Sequence, residues 1–251
     1  MIPFEPWAFA VAVAGALCVG LSKGGLPGLG ILVTAIFANV LPARASSGFV
    51  LPMLVAGDLL SIALYRRHAQ WAHLWRLFPW TAAGLVAGYL ALGRIDDRQA
   101  RLLIGGIVVA LVAGHFAWRR WSRSPGALGG GATGLMWMAP VAGVLAGFTT
   151  LVANAAGPVM VVYLLAMRLP KLEFLGTSAW FFLLLNVAKL PFMAHLGLVN
   201  SGSLLGNAVL LPVVLAGALL GRWLVPRIDQ KLFEGTALAL TAAAGVKLLL
   251  G

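Results

Sequence analysis

The chain has 251 residues, 61% of them hydrophobic and only 10% charged, with a mean hydropathy of +0.96 and a formal net charge of +11. A soluble domain carries about 45–50% apolar and roughly 25% charged residues, so a compact water-soluble fold is excluded and lipid is the solvent. The Lys and Arg residues are scattered between apolar runs and form no basic stripe with interleaved aromatics, which excludes nucleic acid as a partner.

In chain order, the N-terminus has Glu5 as its only charge before Lys23, with Pro3 and Pro6 early. It lacks the positive region of a cleaved signal peptide, so the first apolar run is expected to be retained. That run, 7–41, is too long for one crossing and is interrupted by Lys23-Gly24-Gly25-Leu26-Pro27-Gly28. Runs 46–65, 75–93 and 100–118 follow, and a polar, Gly-rich linker spans 119–134. A second long run, 135–168, is interrupted at Asn154-Ala155-Ala156-Gly157-Pro158, and 174–194, 207–225 and 233–250 complete the chain. The six uninterrupted runs are long enough to cross a hydrocarbon core of about 30 Å, which needs roughly 20 residues per helix. Each piece beside a break is short for a crossing.

The two halves match. A shift of 128 pairs Leu41-Pro42 with Leu169-Pro170, Gly15 with Gly143, Gly48 with Gly176 and Asp58 with Asn186. A shift of 133 pairs Arg94-Ile95-Asp96 with Arg227-Ile228-Asp229, Pro79 with Pro212, Gly84 with Gly217 and Gly88 with Gly221. The chain therefore reads as repeat 1 (1–118), a linker (119–134) and repeat 2 (135–251).

Charge placement decides how the broken segments sit. If each is a hairpin that enters and leaves on one side, each repeat makes three crossings and the second is inverted. Eleven Lys and Arg then fall in the cytoplasm (at 66–76, 119–123, 168–171 and 222–231) and four, Arg44, Arg94, Arg98 and Arg101, outside. Full crossings would instead put six inside and nine outside, against the positive-inside rule. The expected fold is an all-α integral membrane protein of two inverted repeats, each a broken-helix hairpin plus three transmembrane helices. Both termini lie outside in this scheme, and the cell inner membrane is the expected location.

Non-helical backbone at membrane depth survives only inside protein or beside water, and breaks at matching places in two inverted halves point to a transporter's binding site. The chemistry favours an anion. Half-helix N-termini after residue 28 and at Pro158 would present free N–H groups. Gly24, Gly25, Gly28 and Gly157 admit close approach of a ligand to backbone, and Ser22, Thr149, Thr150 and Asn154 supply neutral hydrogen-bonding groups. Lys23 at the first break and Lys189, three residues after Asn186 on one helix face, add positive charge. Asp58, the one acidic residue deep in a span, suits proton coupling or pairing with a lysine. The glycine-rich breaks also fit tight helix packing of the small-xxx-small kind.

His68 and His73 read as solvated loop residues, and His115 and His195 show no metal-site spacing. Cys18 is the sole cysteine, which rules out an intramolecular disulfide. Trp71, Trp75, Trp80, Trp118 and Trp121 near span ends read as an interfacial belt. No cofactor is expected. The expected partners are a small anionic substrate and membrane lipid, and a homodimer is compatible with the sequence.

The break Gly20-Leu21-Ser22-Lys23-Gly24-Gly25-Leu26-Pro27-Gly28 resembles the first-repeat signature of the TauE/SafE sulfite-exporter family, also called the toluene-sulfonate uptake permeases. The stretch Gly147-Phe148-Thr149-Thr150-Leu151-Val152-Ala153-Asn154-Ala155-Ala156-Gly157-Pro158 resembles the second-repeat signature of one branch. So do Gly176-Thr177-Ser178-Ala179-Trp180-Phe181-Phe182, Asn186 and Lys189-Leu190-Pro191-Phe192. Many relatives carry Gly-Gly-Gly at the second break, from which Asn154-Ala155-Ala156-Gly157 departs. The resemblance implies a secondary carrier for sulfite, sulfonates or other organosulfur anions; the residues by themselves imply only a small anion. A passive anion channel with the same central site is the alternative. An enzyme is not expected: Ser22 and Lys23 are adjacent on a helix and point about 100° apart, and no His–carboxylate cluster accompanies them.

Overall fold

The computed structural model describes residues 6–30, 33, 36–37, 41, 43–92, 94–121 and 137–250. Pro3, Glu5, Pro42, Arg123, the linker beyond residue 121 and most of the limb returning from the first break lie outside the described residues. So do the side chains of Arg44, Trp118, Arg119 and Trp121. Every regular element among the described residues is helical. In chain order the α-helices are α1 (Pro6–Gly24), α2 (Ala43–Tyr65), α3 (Trp71–Leu92), α4 (Asp97–Trp121), α5 (Met138–Ala153), α6 (Ala156–Ala166), α7 (Lys171–His195), α8 (Ser201–Leu224) and α9 (Gln230–Leu250), with 3-10 turns at Arg66–His68 and Val225–Arg227.

Helices α1, α2, α4, α7, α8 and α9 are long and apolar enough to cross a membrane. The first limb is longer than its sequence suggested: α1 runs 19 residues because Lys23 and Gly24 stay helical. Helix α3 has the length of a span, but His73 and Arg76 make its first turns polar. Helices α5 and α6, with 16 and 11 residues, are each too short for a crossing. The full spans begin three to six residues earlier than the apolar runs because polar first turns are helical too. Asn200 and Ser203 form a reciprocal capping box that starts α8.

Two compact units form: Met1–Gln70 with Lys171–Phe233, and Trp71–Pro170 with Glu234–Gly251. In the first, α1 and α8 run parallel in close backbone contact. A Cβ on Gly20 would lie 2.2 Å from the Val214 carbonyl oxygen, and one on Gly24 equally close to that of Ala218. Only hydrogen fits there, the close approach expected of small residues between membrane helices. The second unit repeats the pairing with α3 and α5, where Gly84 meets Val144 and Gly147 meets Thr81. Helices α2 and α7 in the first unit are antiparallel: Gly48 at the start of α2 abuts Leu198 beyond the end of α7, and Gly176 near the start of α7 abuts Tyr65 and His68.

The repeated Arg-Ile-Asp motif has a mechanical meaning. Arg94 and Arg227 each donate to the carbonyl four residues back, Leu90 and Trp223, closing α3 and α8. Asp96 and Asp229 then accept the backbone N–H groups of Gln99 and Leu232 and cap α4 and α9. Trp71, Trp75 and Trp80 stand exposed along α3, as a lipid-facing set would. His73 differs from its expected solvation: it is half-buried, with Nδ1 3.1 Å from the Tyr163 hydroxyl.

Candidate functional site

The first break is held by its own backbone and by α2. The N–H groups of Gly25 and Leu26 both reach the Leu21 carbonyl, which ends α1. Gly25 has φ +148° and Gly28 φ +99°, a backbone that side chains rarely adopt. Two close approaches show the chain doubling back along α1. The open side of Gly30 lies 3.2 Å from Ser22 Oγ, and that of Gly15 lies 2.5 Å from the Phe37 ring. Tyr65 donates its hydroxyl hydrogen to the Gly24 carbonyl. Gly24 and Gly25 therefore have packing partners on the protein side, Ala218 and Val225, which is the packing role weighed beside the ligand role for these glycines.

The last turn of α1 then presents Lys23 to the middle of α2. Lys23 Nζ lies 2.6 Å from Asp58 Oδ1. Asn186 Nδ2 donates to Asp58 Oδ2 at 2.7 Å, so the two positions paired by the shift of 128 touch each other across α2 and α7. Gly57 leaves room for the Lys23 stem, with Cγ 3.0 Å from where a Cβ would be. The Phe182 ring, one turn before Asn186, lies under the Lys23 ammonium at 4.3 Å. Lys189 is the next residue on that face and is fully buried, as is Asp58. Both charges act on Asp58, and the two lysines act on each other.

One ammonium, that of Lys23, thus pairs with a buried carboxylate, and a second buried lysine, Lys189, stands three residues from that carboxylate's partner Asn186. The other described acidic residues, Asp96, Asp97, Glu173, Asp229 and Glu234, lie in or beside the opening turns of helices. A charge inside a membrane protein costs several kcal/mol unless it is paired, and lysines at this depth are what would hold an anion. Ser22, Lys23, Asp58, Asn186 and Lys189 all belong to the first unit.

Thr149, Thr150, Asn154 and Gly157 belong to the second unit and form a different local geometry. Asn154 adopts the left-handed conformation, φ 53° and ψ 31°, and its N–H meets the Thr149 and Thr150 carbonyls at the end of α5. Asparagine tolerates that conformation where glycine would otherwise be needed, which explains how this break closes without a glycine run. The Thr149 hydroxyl donates back to the Leu145 carbonyl at 2.7 Å, leaving its lone pairs as acceptors. The N-terminus of α6 has no side-chain cap, and nothing lies within 4 Å of the open side of Gly157. Pro158 is the third residue of α6, not the first, still within the turn whose N–H groups have no helical partner.

Sequence reasoning passed over Phe182 and Gly57 as site residues. The spacing of Phe182 four before Asn186 was the available signal. No group of three or more His, Cys, Asp or Glu able to hold a metal occurs among the described residues.

The family model for the sulfite exporter TauE/SafE matches residues 12–248. The chain belongs to the TauE/SafE sulfite exporter family. No curated protein and no solved structure matches it. The match takes in both breaks, the Lys23–Asp58–Asn186 cluster and all nine described helices. Membership in TauE/SafE makes this a multi-pass membrane protein of a family that moves sulfur-containing anions, in keeping with its six span-length helices.

Proposed function

We propose that the protein is a secondary carrier that moves a small sulfur-containing anion, sulfite or a sulfonate, across the cell inner membrane by alternating access, with Asp58 coupling transport to protons. The observation that carries this reading is the buried cluster in which Asp58 pairs with Lys23 and Asn186, with the fully buried Lys189 three residues after Asn186 on α7. Lys23, Asn186 and Lys189 are the donors to the anion. Gly24, Gly25 and Gly28 shape the turn that presents Ser22 and Lys23. Thr149, Thr150, Asn154 and Gly157 enter as binding residues on the sequence argument, supported by the uncapped start of α6. The antiparallel α2 and α7, equivalent helices of the two repeats, support the inverted arrangement. The chain holds no Gly-x-x-x-x-Gly-Lys-Ser/Thr motif, which favours a gradient over nucleotide hydrolysis as the energy source.

Reconstitution in liposomes tests it. Uptake of radiolabelled sulfite should saturate with concentration and respond to an imposed pH gradient. Current at channel rates without saturation would establish the passive channel instead. A melting temperature unmoved by sulfite, sulfate, thiosulfate and short sulfonates would remove the anion site, since a bound ligand stabilises by mass action.

A further inference from the structure

Asp58 already holds the donors an arriving oxyanion needs. Its two oxygens take Lys23 at 2.6 Å and Asn186 at 2.7 Å, one cation and one amide. A sulfonate or sulfite presents the same chemistry: negative charge spread over oxygens that accept two or three hydrogen bonds. Two anions competing for the same two donors disfavour each other's ionisation at close range, the rule that makes paired carboxylates share a proton. A sulfonate is a far weaker base than a carboxylate, so Asp58 takes the proton. The Phe182 ring already lies 4.3 Å from the Lys23 ammonium alongside Asp58, a contact that does not depend on the carboxylate.

We infer that Asp58 is a built-in stand-in for the substrate: the anion enters by displacing the Asp58 carboxylate from Lys23 and Asn186, and one proton binds Asp58 with each anion. This rests on the anion-site reading above and adds the sign and stoichiometry of its coupling. The proton comes from the water that admits the anion and bonds to a carboxylate oxygen; no other bond forms or breaks. The anion takes over the Lys23 and Asn186 donors while Asp58 turns neutral. For a monoanion the summed charge of the cluster is the same before and after, so the loaded carrier buries no more net charge than the empty one. Proton and anion then travel in the same direction. The charged groups facing Asp58 from the helices packed on α2 are Lys23 from α1 and Lys189 from α7. Helix α8 carries Arg222, which acts on Tyr65, two turns beyond Asp58.

The test uses the purified full chain in detergent with methanesulfonate, which does not titrate in the neutral range. In the wild type, apparent affinity should fall about tenfold per pH unit on the alkaline side, as one-proton linkage requires. An indicator dye in weak buffer should report about one proton taken up per methanesulfonate bound. Asp58→Asn should bind without the pH slope and without proton uptake, and more tightly than wild type at the alkaline end. Binding to wild type with no proton uptake overturns the inference, and so does an Asp58→Asn protein that melts normally yet binds more weakly than wild type throughout. If Asp58→Asn does not fold, Lys189→Met decides: one proton still taken up per methanesulfonate at saturation assigns the proton to Asp58, and loss of that uptake overturns the inference. Absence of any binding by methanesulfonate, sulfate or sulfite at all pH values removes the anion site itself and the inference with it. Binding that is flat in pH and free of protons removes only the inference.

Discussion

Charged residues inside a span are rare enough that Lys23, Asp58 and Lys189 stand out of the sequence unaided, and their cost in lipid forces them toward one another. The contact between Asp58 and Asn186 was latent in the repeat alignment, because both fall at the shift of 128. Gly57 carries no such mark, and Phe182 only its spacing four residues before Asn186. Phenylalanine and glycine are ordinary in a membrane helix, and only packing shows one under the Lys23 ammonium and the other beside its stem. Lys189→Ala removes the buried lysine proposed above as a donor to the anion. A hydrogen bond to a charged group is worth about 1.5–3 kcal/mol, so methanesulfonate binding measured calorimetrically should weaken roughly tenfold to hundredfold while protein yield stays near wild type. Gly57→Val puts a branched side chain where the Lys23 stem lies. The ammonium should lose Asp58, leaving a buried carboxylate without its partner, an effect of about 3–5 kcal/mol that a thermal melt in detergent reads directly.

At the scale of elements, the duplicated glycines and the duplicated Arg-Ile-Asp motif turn out to be contact devices. Gly217 and Gly221 let α8 lie on α1, and their counterparts Gly84 and Gly88 let α3 lie on α5, with carbonyl oxygens filling the space of the missing side chains. Substituting Gly20 by Leu should drive α1 and α8 apart, beyond the about 1–3 kcal/mol typical of overpacking, because the obstacle is backbone. Detergent-solubilised protein should then elute as aggregate in size-exclusion chromatography. Gly114→Ala is the control: nothing lies within 4 Å of its open side, and alanine favours helix over glycine by about 1 kcal/mol, so its melting temperature should hold or rise. The positions of both breaks were legible because Gly, Pro and Asn interrupt otherwise apolar helices. Their inner geometry was not: Lys23 and Gly24 stay helical, and Pro158 sits third in α6.

Across the whole molecule, each compact unit draws on both sequence repeats. The first joins α1 and α2 with α7 and α8, and the second joins α3 and α4 with α5, α6 and α9. A fragment ending in the linker would leave α1 without α8 and α3 without α5. Fragments 1–134 and 135–251 expressed singly should be degraded, and coexpression should restore membrane-bound protein on an immunoblot; a stable single fragment would contradict the interleaving. Single cysteines placed in 66–76 and 222–231, with the half-buried Cys18 replaced first, should react with an impermeant thiol reagent only from the cytoplasm. Labelling from the other side would reverse the orientation.

Composition alone determined that this chain lives in lipid, because too few charges exist to cover its apolar surface in water. Periodic runs and breaks determined the helices, because backbone in hydrocarbon must bond to itself. Internal matching exposed the duplication. Which helices touch was decided only by the fold. Lipid tails are as apolar as the leucines facing them, so a span carries no hydrophobic signal for its partner. Partner choice rests on glycine-sized gaps and a handful of polar atoms whose meaning depends on what lies opposite. Tertiary packing brought Lys23 onto Asp58, set Asp58 against its own repeat counterpart, and so turned scattered polar residues into one buried cluster.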